Sequence, residues 1–188
     1  MSAHGAVKNR DNAMTDQTIP IMLNDLFGIE AESFQCYQPP SREKNTVRFG
    51  DGASVPVNVF ADVLKVNESA VIGTWDRDYM KGRAACTENK AGKGKAVYYG
   101  SFFSLESARY LLRRYAAEQQ LKPLLTGVPQ EVEVTRRTKG SANYYFILNH
   151  AVEAVTVSPG RGYFDLLVGK VSPASFTLGP FEYRVLRK

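Results

Sequence analysis

One change of pattern limits what this chain can fold into more than any other feature. The segment Ser104–Gln120 sets Leu105, Ala108, Leu112, Tyr115 and Ala116 at helical spacing, with Glu106, Arg109, Arg113 and Glu118 between them. Ser104 suits the N-cap, where a hydroxyl accepts from a first-turn N–H. The spacing predicts a helix that lays this apolar stripe on a sheet. After Lys122–Pro129, which holds Pro123, Gly127 and Pro129, no helical period recurs. Short alternating segments follow instead, at Glu131–Arg137, Tyr144–Asn149, Ala154–Val157, Phe164–Val168, Phe176–Leu178 and Phe181–Leu186. In the last, Phe181, Tyr183 and Val185 alternate with Glu182 and Arg184, which predicts an apolar and a wet face. Closely spaced strands with turn residues between them predict a small antiparallel β-sandwich or barrel. A boundary is therefore expected near residues 123–129, separating a domain at 1–122 from one at 123–188.

Before the long helix the pattern is mixed. Pro20–Phe27 predicts a short helix, with Thr18 as N-cap and Gly28 as its stop. An extended segment near Ile29–Tyr37 leads to Pro39-Pro40 and the polar stretch Ser41–Asn45. Further strands are expected at Val57–Leu64, Ala70–Trp75, Ala84–Asn89 and Lys95–Gly100. The last two flank Lys90-Ala-Gly-Lys-Gly94 and predict a hairpin.

Composition narrows the function classes. No apolar run approaches the roughly 18 residues of a membrane helix, and no signal-like hydrophobic stretch follows Met1, so a cytoplasmic location and no membrane partner are expected. The formal charge of +5 raises a nucleic-acid reading. The basic residues are scattered, however, and their denser clusters, Lys90–Lys95 and Arg136–Lys139, fall at expected hairpin tips, so no nucleic-acid partner is expected. Cys36 and Cys86, with His4 and His150 as the only histidines, make neither a disulfide framework nor a zinc site. No metal and no cofactor are expected.

Three stretches carry a resemblance to a known family. The first is Gly5-Ala-Val-Lys-Asn-Arg-Asp-Asn12 leading into Pro20-Ile-Met-Leu-Asn-Asp-Leu-Phe-Gly-Ile-Glu30. The second, the most specific, runs from Phe60-Ala-Asp-Val-Leu64 and Ala70-Val-Ile-Gly-Thr-Trp75 through Tyr79-Met-Lys-Gly-Arg-Ala-Ala-Cys-Thr-Glu-Asn89 to Gly92-Lys-Gly-Lys-Ala-Val-Tyr-Tyr-Gly100. The third is Gly127-Val-Pro-Gln-Glu-Val-Glu-Val-Thr-Arg-Arg137 with Tyr145-Phe-Ile-Leu-Asn-His150. Together they resemble the C-terminal part of a β-galactosidase of glycoside hydrolase family 42. The resemblance implies part of a flavodoxin-like, glutamine-amidotransferase-like α/β trimerisation domain at 1–122, followed by the family's C-terminal β-domain. It also implies that the catalytic barrel and the leading half of the α/β domain would precede residue 1. The edge and apolar face of a shortened sheet would then need a cover, such as self-association as a trimer or other homo-oligomer, or a separate barrel-bearing chain.

Candidate chemistry is sparse. Glu30 with Glu32, and Glu131 with Glu133, share a strand face at i,i+2 spacing, but no pair lies in a catalytic carboxylate motif. Gly92-Lys-Gly-Lys95 lacks the Ser or Thr and the following helix of a phosphate loop. Cys86, with His150 as partner, lacks the glycine-flanked elbow of a nucleophile. Trp75 with Tyr79 could stack a sugar ring, and Asn67-Glu68-Ser69 is a glycosylation sequon expected to be unused. No catalytic residue is therefore assigned. The expected role is a non-catalytic structural and oligomerisation part of a β-galactosidase-like protein. The alternatives are a weakly sugar-binding carbohydrate module, or a portion of an active enzyme that hydrolyses terminal β-galactosides.

Overall fold

The computed structural model describes residues 1–37 and 45–188. Pro39-Pro40 and the polar stretch after it lie, save for Asn45, outside the described residues. The chain divides into two compact units, Met1–Tyr115 and Ala116–Lys188.

In the first unit a single helical turn, α1 (Asn24–Phe27), precedes β1 (Ile29–Cys36). Then come β2 (Thr46–Phe49), β3 (Ser54–Pro56), β4 (Phe60–Val66), β5 (Ala70–Trp75), β6 (Ala84–Ala91) and β7 (Gly94–Tyr99). A five-stranded sheet runs β3-β2-β5-β6-β7, and β1 pairs β4 in a second ladder. The β4 strand is buried on both faces. Ala61 and Val63 join a core with Val47, Phe49, Trp75, Cys86 and Tyr99. Leu64 joins another with Phe27, Ile29 and Tyr98. The β6–β7 hairpin turns through Gly92-Lys93, with Ala91 facing Gly94 across the ladder. Gly92 has φ 57, a left-handed conformation that glycine adopts without steric cost.

Three expectations for this unit need correction. The helix predicted over Pro20–Phe27 begins only at Asn24, because Met22 takes the left-handed φ of 64 and the Ile21 N–H is drawn away to the Ala6 carbonyl. Thr18 does not cap it; Leu23 holds that position without a side-chain bond. The partial flavodoxin-like unit is not confirmed. Doubly wound folds need parallel neighbours, whereas every ladder between named strands here is antiparallel. A parallel element does appear as an isolated bridge between Ser2 and Tyr99, where the Tyr99 N–H donates to the Met1 carbonyl.

The second helix, α2 (Leu105–Glu118), starts where expected. The Ser107 N–H donates to Ser104 Oγ at 3.1 Å, and the Ser104 N–H donates to Ser107 Oγ at 2.8 Å, a reciprocal cap with serine in both roles. Its orientation differs from expectation. Ser107 and Leu111 are the buried positions, while Leu105 is 65% and Leu112 is 71% exposed. Tyr110 turns inward to meet the Phe49 ring at 4.1 Å between centroids. Tyr115 donates to Glu88 at 2.7 Å. These contacts fix the helix with Leu105 and Leu112 of its apolar stripe outward.

Beyond the end of α2 the second unit is all β. Its strands are β8 (Val132–Lys139), β9 (Ala142–Asn149), β10 (Val155–Val157), β11 (Phe164–Asp165), β12 (Lys170–Val171), β13 (Phe176–Leu178) and β14 (Tyr183–Arg187). One sheet runs β12-β11-β14-β9-β8, and β10 pairs β13. All of these pairings are antiparallel. The two ladders share a core of Val132, Tyr145, Ile147, Val157, Phe176, Leu178 and Leu186. The face expected to be apolar in the last strand points outward, since Phe181 and Tyr183 are exposed and Leu186 is buried. Arg184 explains the choice. Its guanidinium donates to the buried Asp165 at 3.1 Å and lies 4.8 Å from the Phe176 ring centroid.

Candidate functional site

Several of the residues weighed as chemical candidates are buried or engaged by a structural partner. Trp75 is 1% exposed, and its Nε1 donates to the Asp62 carbonyl at 3.0 Å. A ring enclosed in this way presents no face to a sugar, although Tyr79 is 62% exposed. Cys86 is fully buried in β6, and burial pushes its thiol up to about 12. Such a thiol carries almost no thiolate near neutrality. His150 belongs to the other unit, where its Nε2 lies 3.0 Å from Glu133.

Three of the four paired carboxylates have side-chain partners. Glu30 accepts from Asn67 and lies 3.4 Å from Lys65 Nζ, while Glu32, at an irregularity in the β1–β4 register, pairs with Arg83. Glu133 faces His150, and the Glu131 carbonyl accepts from the His150 N–H. Asn67 of the sequon is the donor to Glu30. Lys95 of the Gly-Lys-Gly-Lys stretch sits in β7, 2.8 Å from Glu88. The clusters Lys90–Lys95 and Arg136–Lys139 occupy the β6–β7 and β8–β9 hairpins.

What the structure brings together is apolar. Along one flank of α2, Ala108, Leu111, Leu112 and Tyr115 form a groove with Met1, Val97 and Phe103, of about 320 Å³. Phe103, 5.7 Å from the Tyr99 ring and nearly parallel to it, supplies one wall and is itself exposed. Leu112, in the groove, and Leu105, one helical turn before Ala108, are both exposed. The sequence carried the signal, because Leu105, Ala108, Leu112 and Tyr115 all belong to the stripe read from the helical period. That stripe was assigned to the interior of the fold. Exposed contiguous apolar surface of this kind marks interaction sites in soluble proteins.

Comparison with known proteins bears on this surface. The β-galactosidase trimerisation domain family matches residues 1–122, and the β-galactosidase C-terminal domain family matches residues 131–188. β-Galactosidase BgaA of Planococcus sp. is 30% identical over 186 residues, covering 97% of this chain and 27% of that protein. β-Galactosidase LacZ of Heyndrickxia coagulans is 26% identical over 168 residues, covering 89% of this chain and 25% of its own. The crystal structure of a β-galactosidase from Bacillus circulans sp. alkalophilus superposes with a TM-score of 0.83 at 27% identity, over 100% of this chain and 28% of that one. A Rahnella β-galactosidase, at 22% identity and a TM-score of 0.79, shares the fold. The chain spans about a quarter of the length of these curated relatives. It belongs to the β-galactosidase trimerisation-domain family of glycoside hydrolase family 42 and carries that family's C-terminal domain.

Proposed function

We propose that this chain has a non-catalytic assembly role, with residues 1–122 as its association domain and 123–188 as a β-domain joined to it. One observation carries the reading. In the segment that matches a trimerisation domain, α2 holds Leu105 and Leu112 in solvent beside a groove lined almost wholly by apolar side chains. Fully burying a leucine contributes roughly 1.5–3 kcal/mol, so covering this surface favours association. Its partner is another copy of the chain, as a trimer or other homo-oligomer, or a chain that bears a catalytic barrel. No helix among the described residues is long and apolar enough to cross a membrane. A cytoplasmic location is part of the proposal, and cell fractionation tests it.

Light scattering on a sizing column tests the assembly. We expect a discrete homo-oligomer that dissociates in Leu112→Lys, with the far-UV circular dichroism of the variant unchanged. A wild-type monomer at all concentrations tested would remove self-association and leave the barrel-bearing partner, sought by co-purification.

A second reading is favoured by the quarter-length coverage of relatives named β-galactosidases. These residues would then be one portion of an enzyme acting on terminal β-galactosides. An upstream reading frame, continuous with Met1 and encoding a barrel, would establish it.

The carbohydrate module keeps only Tyr79 of its two platform residues, because Trp75 lies inside the core.

A further inference from the structure

The opposite face of α2 carries a second feature of different chemistry. Arg109, Arg113 and Arg114 stand along the helix at i, i+4 and i+5, and with Tyr110 they face the β2–β3 hairpin across a cleft of about 740 Å³. The other wall includes Ser54 and the buried Val55. This volume is in the range of small-molecule sites.

The cleft is held in shape. The Tyr110 ring packs on Phe49, and its hydroxyl donates to Asp51 Oδ2 at 3.0 Å, which ties the helix to the hairpin turn. Asp51 Oδ1 accepts from the Ala53 N–H. That backbone bond, with the Tyr110 hydroxyl and the nearby Arg114 charge, holds the Asp51 carboxyl below its ordinary value, so its charge is already engaged. The other acid lining the cleft is Glu106.

Arg109 and Arg113 are the exposed arginines of the cleft. Among the described residues neither Arg109 nor Arg113 forms an ion pair, and the buried Nε of Arg114 has no hydrogen-bond partner. Like charges four residues apart on a helix repel. Two guanidinium groups on one wall also offer the planar, multiple-donor recognition that suits carboxylate and phosphate.

We propose that this cleft is a binding site for a small organic anion. A phosphate or carboxylate group would sit on Arg109 and Arg113, with the uncharged part of the molecule against Ser54 and Val55. This ligand needs neither the apolar groove nor an oligomer, so the proposal stands apart from the assembly role.

Isothermal titration calorimetry on the whole chain tests it with three probes: a hexose 6-phosphate, a hexuronate and a neutral hexose. We expect at least one charged probe to bind saturably, with Kd below about 1 mM, and to weaken as salt is raised. The neutral hexose gives no binding heat. The variant Arg109→Gln/Arg113→Gln weakens the charged probe by about tenfold or more while keeping the wild-type circular dichroism spectrum. If that variant does not fold, Arg113→Gln alone serves. Binding of the phosphate only, or of the uronate only, supports the site and identifies the source of its anion. Failure of both charged probes to bind, or equal binding by a folded arginine variant, overturns the proposal.

Discussion

Asp62 shows how a single buried residue ties distant parts of the first unit together. Its side chain is 1% exposed. Oδ2 accepts from the Tyr98 hydroxyl at 2.8 Å and from the His4 N–H at 3.2 Å. His4 Nδ1 lies 3.1 Å from Oδ1 without hydrogen-bond geometry. The imidazole is enclosed by Phe60 and Phe34, with ring centroids at 4.3 and 4.6 Å. Burial raises the Asp62 carboxyl above its ordinary value of 3.8, against the opposing pull of Tyr98 and His4. A carboxyl raised in the folded state stabilises the fold while it is protonated. Its contribution is complete below the ordinary value and is lost as pH rises through the raised one. Asp62→Asn, which keeps an acceptor without the charge, should therefore trail wild type by more at about pH 4 than at about pH 7. Urea unfolding at a series of pH values measures this gap, and a gap that stays flat or widens with pH contradicts the assignment. None of this was visible in the sequence. Asp62 stands in an apolar run as one acid, and its partners lie 58 and 36 residues away.

At the scale of elements, local chemistry was readable and facing was not. The Ser104 cap follows from its own residue type and position, and the structure supplies the reciprocal Ser107 bond. Ser104→Ala should cost about 1 kcal/mol, read as a lowered midpoint in chemical unfolding, and an unchanged midpoint would show the cap to be inert. Gly127 is fixed for a less local reason. It combines φ 63 with a backbone so close to the Ser158 carbonyl that an added Cβ would collide with it. The β5 strand and the β6–β7 and β8–β9 hairpins lie close to their expected places, because alternation and glycine turns are encoded within a few residues. The face of α2 and the face of β14 were both misassigned. In each, a polar or aromatic side chain with a specific inward partner overrode the apolar pattern: Tyr110 on Phe49, and Arg184 on Asp165. Reversing the face of a strand exchanges its whole buried set, so one strong internal pair decides the outcome.

At the scale of the molecule, two compact units meet in sequence at Tyr115 and Ala116, and the residues numbered 119–124 are all exposed. Limited proteolysis should cut first in this stretch and release a stable fragment of the first unit, identified by mass. First cuts inside β8 or β9 would argue against the boundary proposed at 122 and 123. The sequence alone determined the family, the strand spacing and the long helix with its cap. These properties reside in residue identities at short separations. Tertiary structure decided which faces are covered. It put Trp75 inside and Leu112 outside, joined His4 to Asp62, made every named ladder antiparallel, and opened a basic cleft behind α2. Burial depends on segments tens of residues apart meeting in space, and periodicity gives the spacing of a face without saying what lies against it.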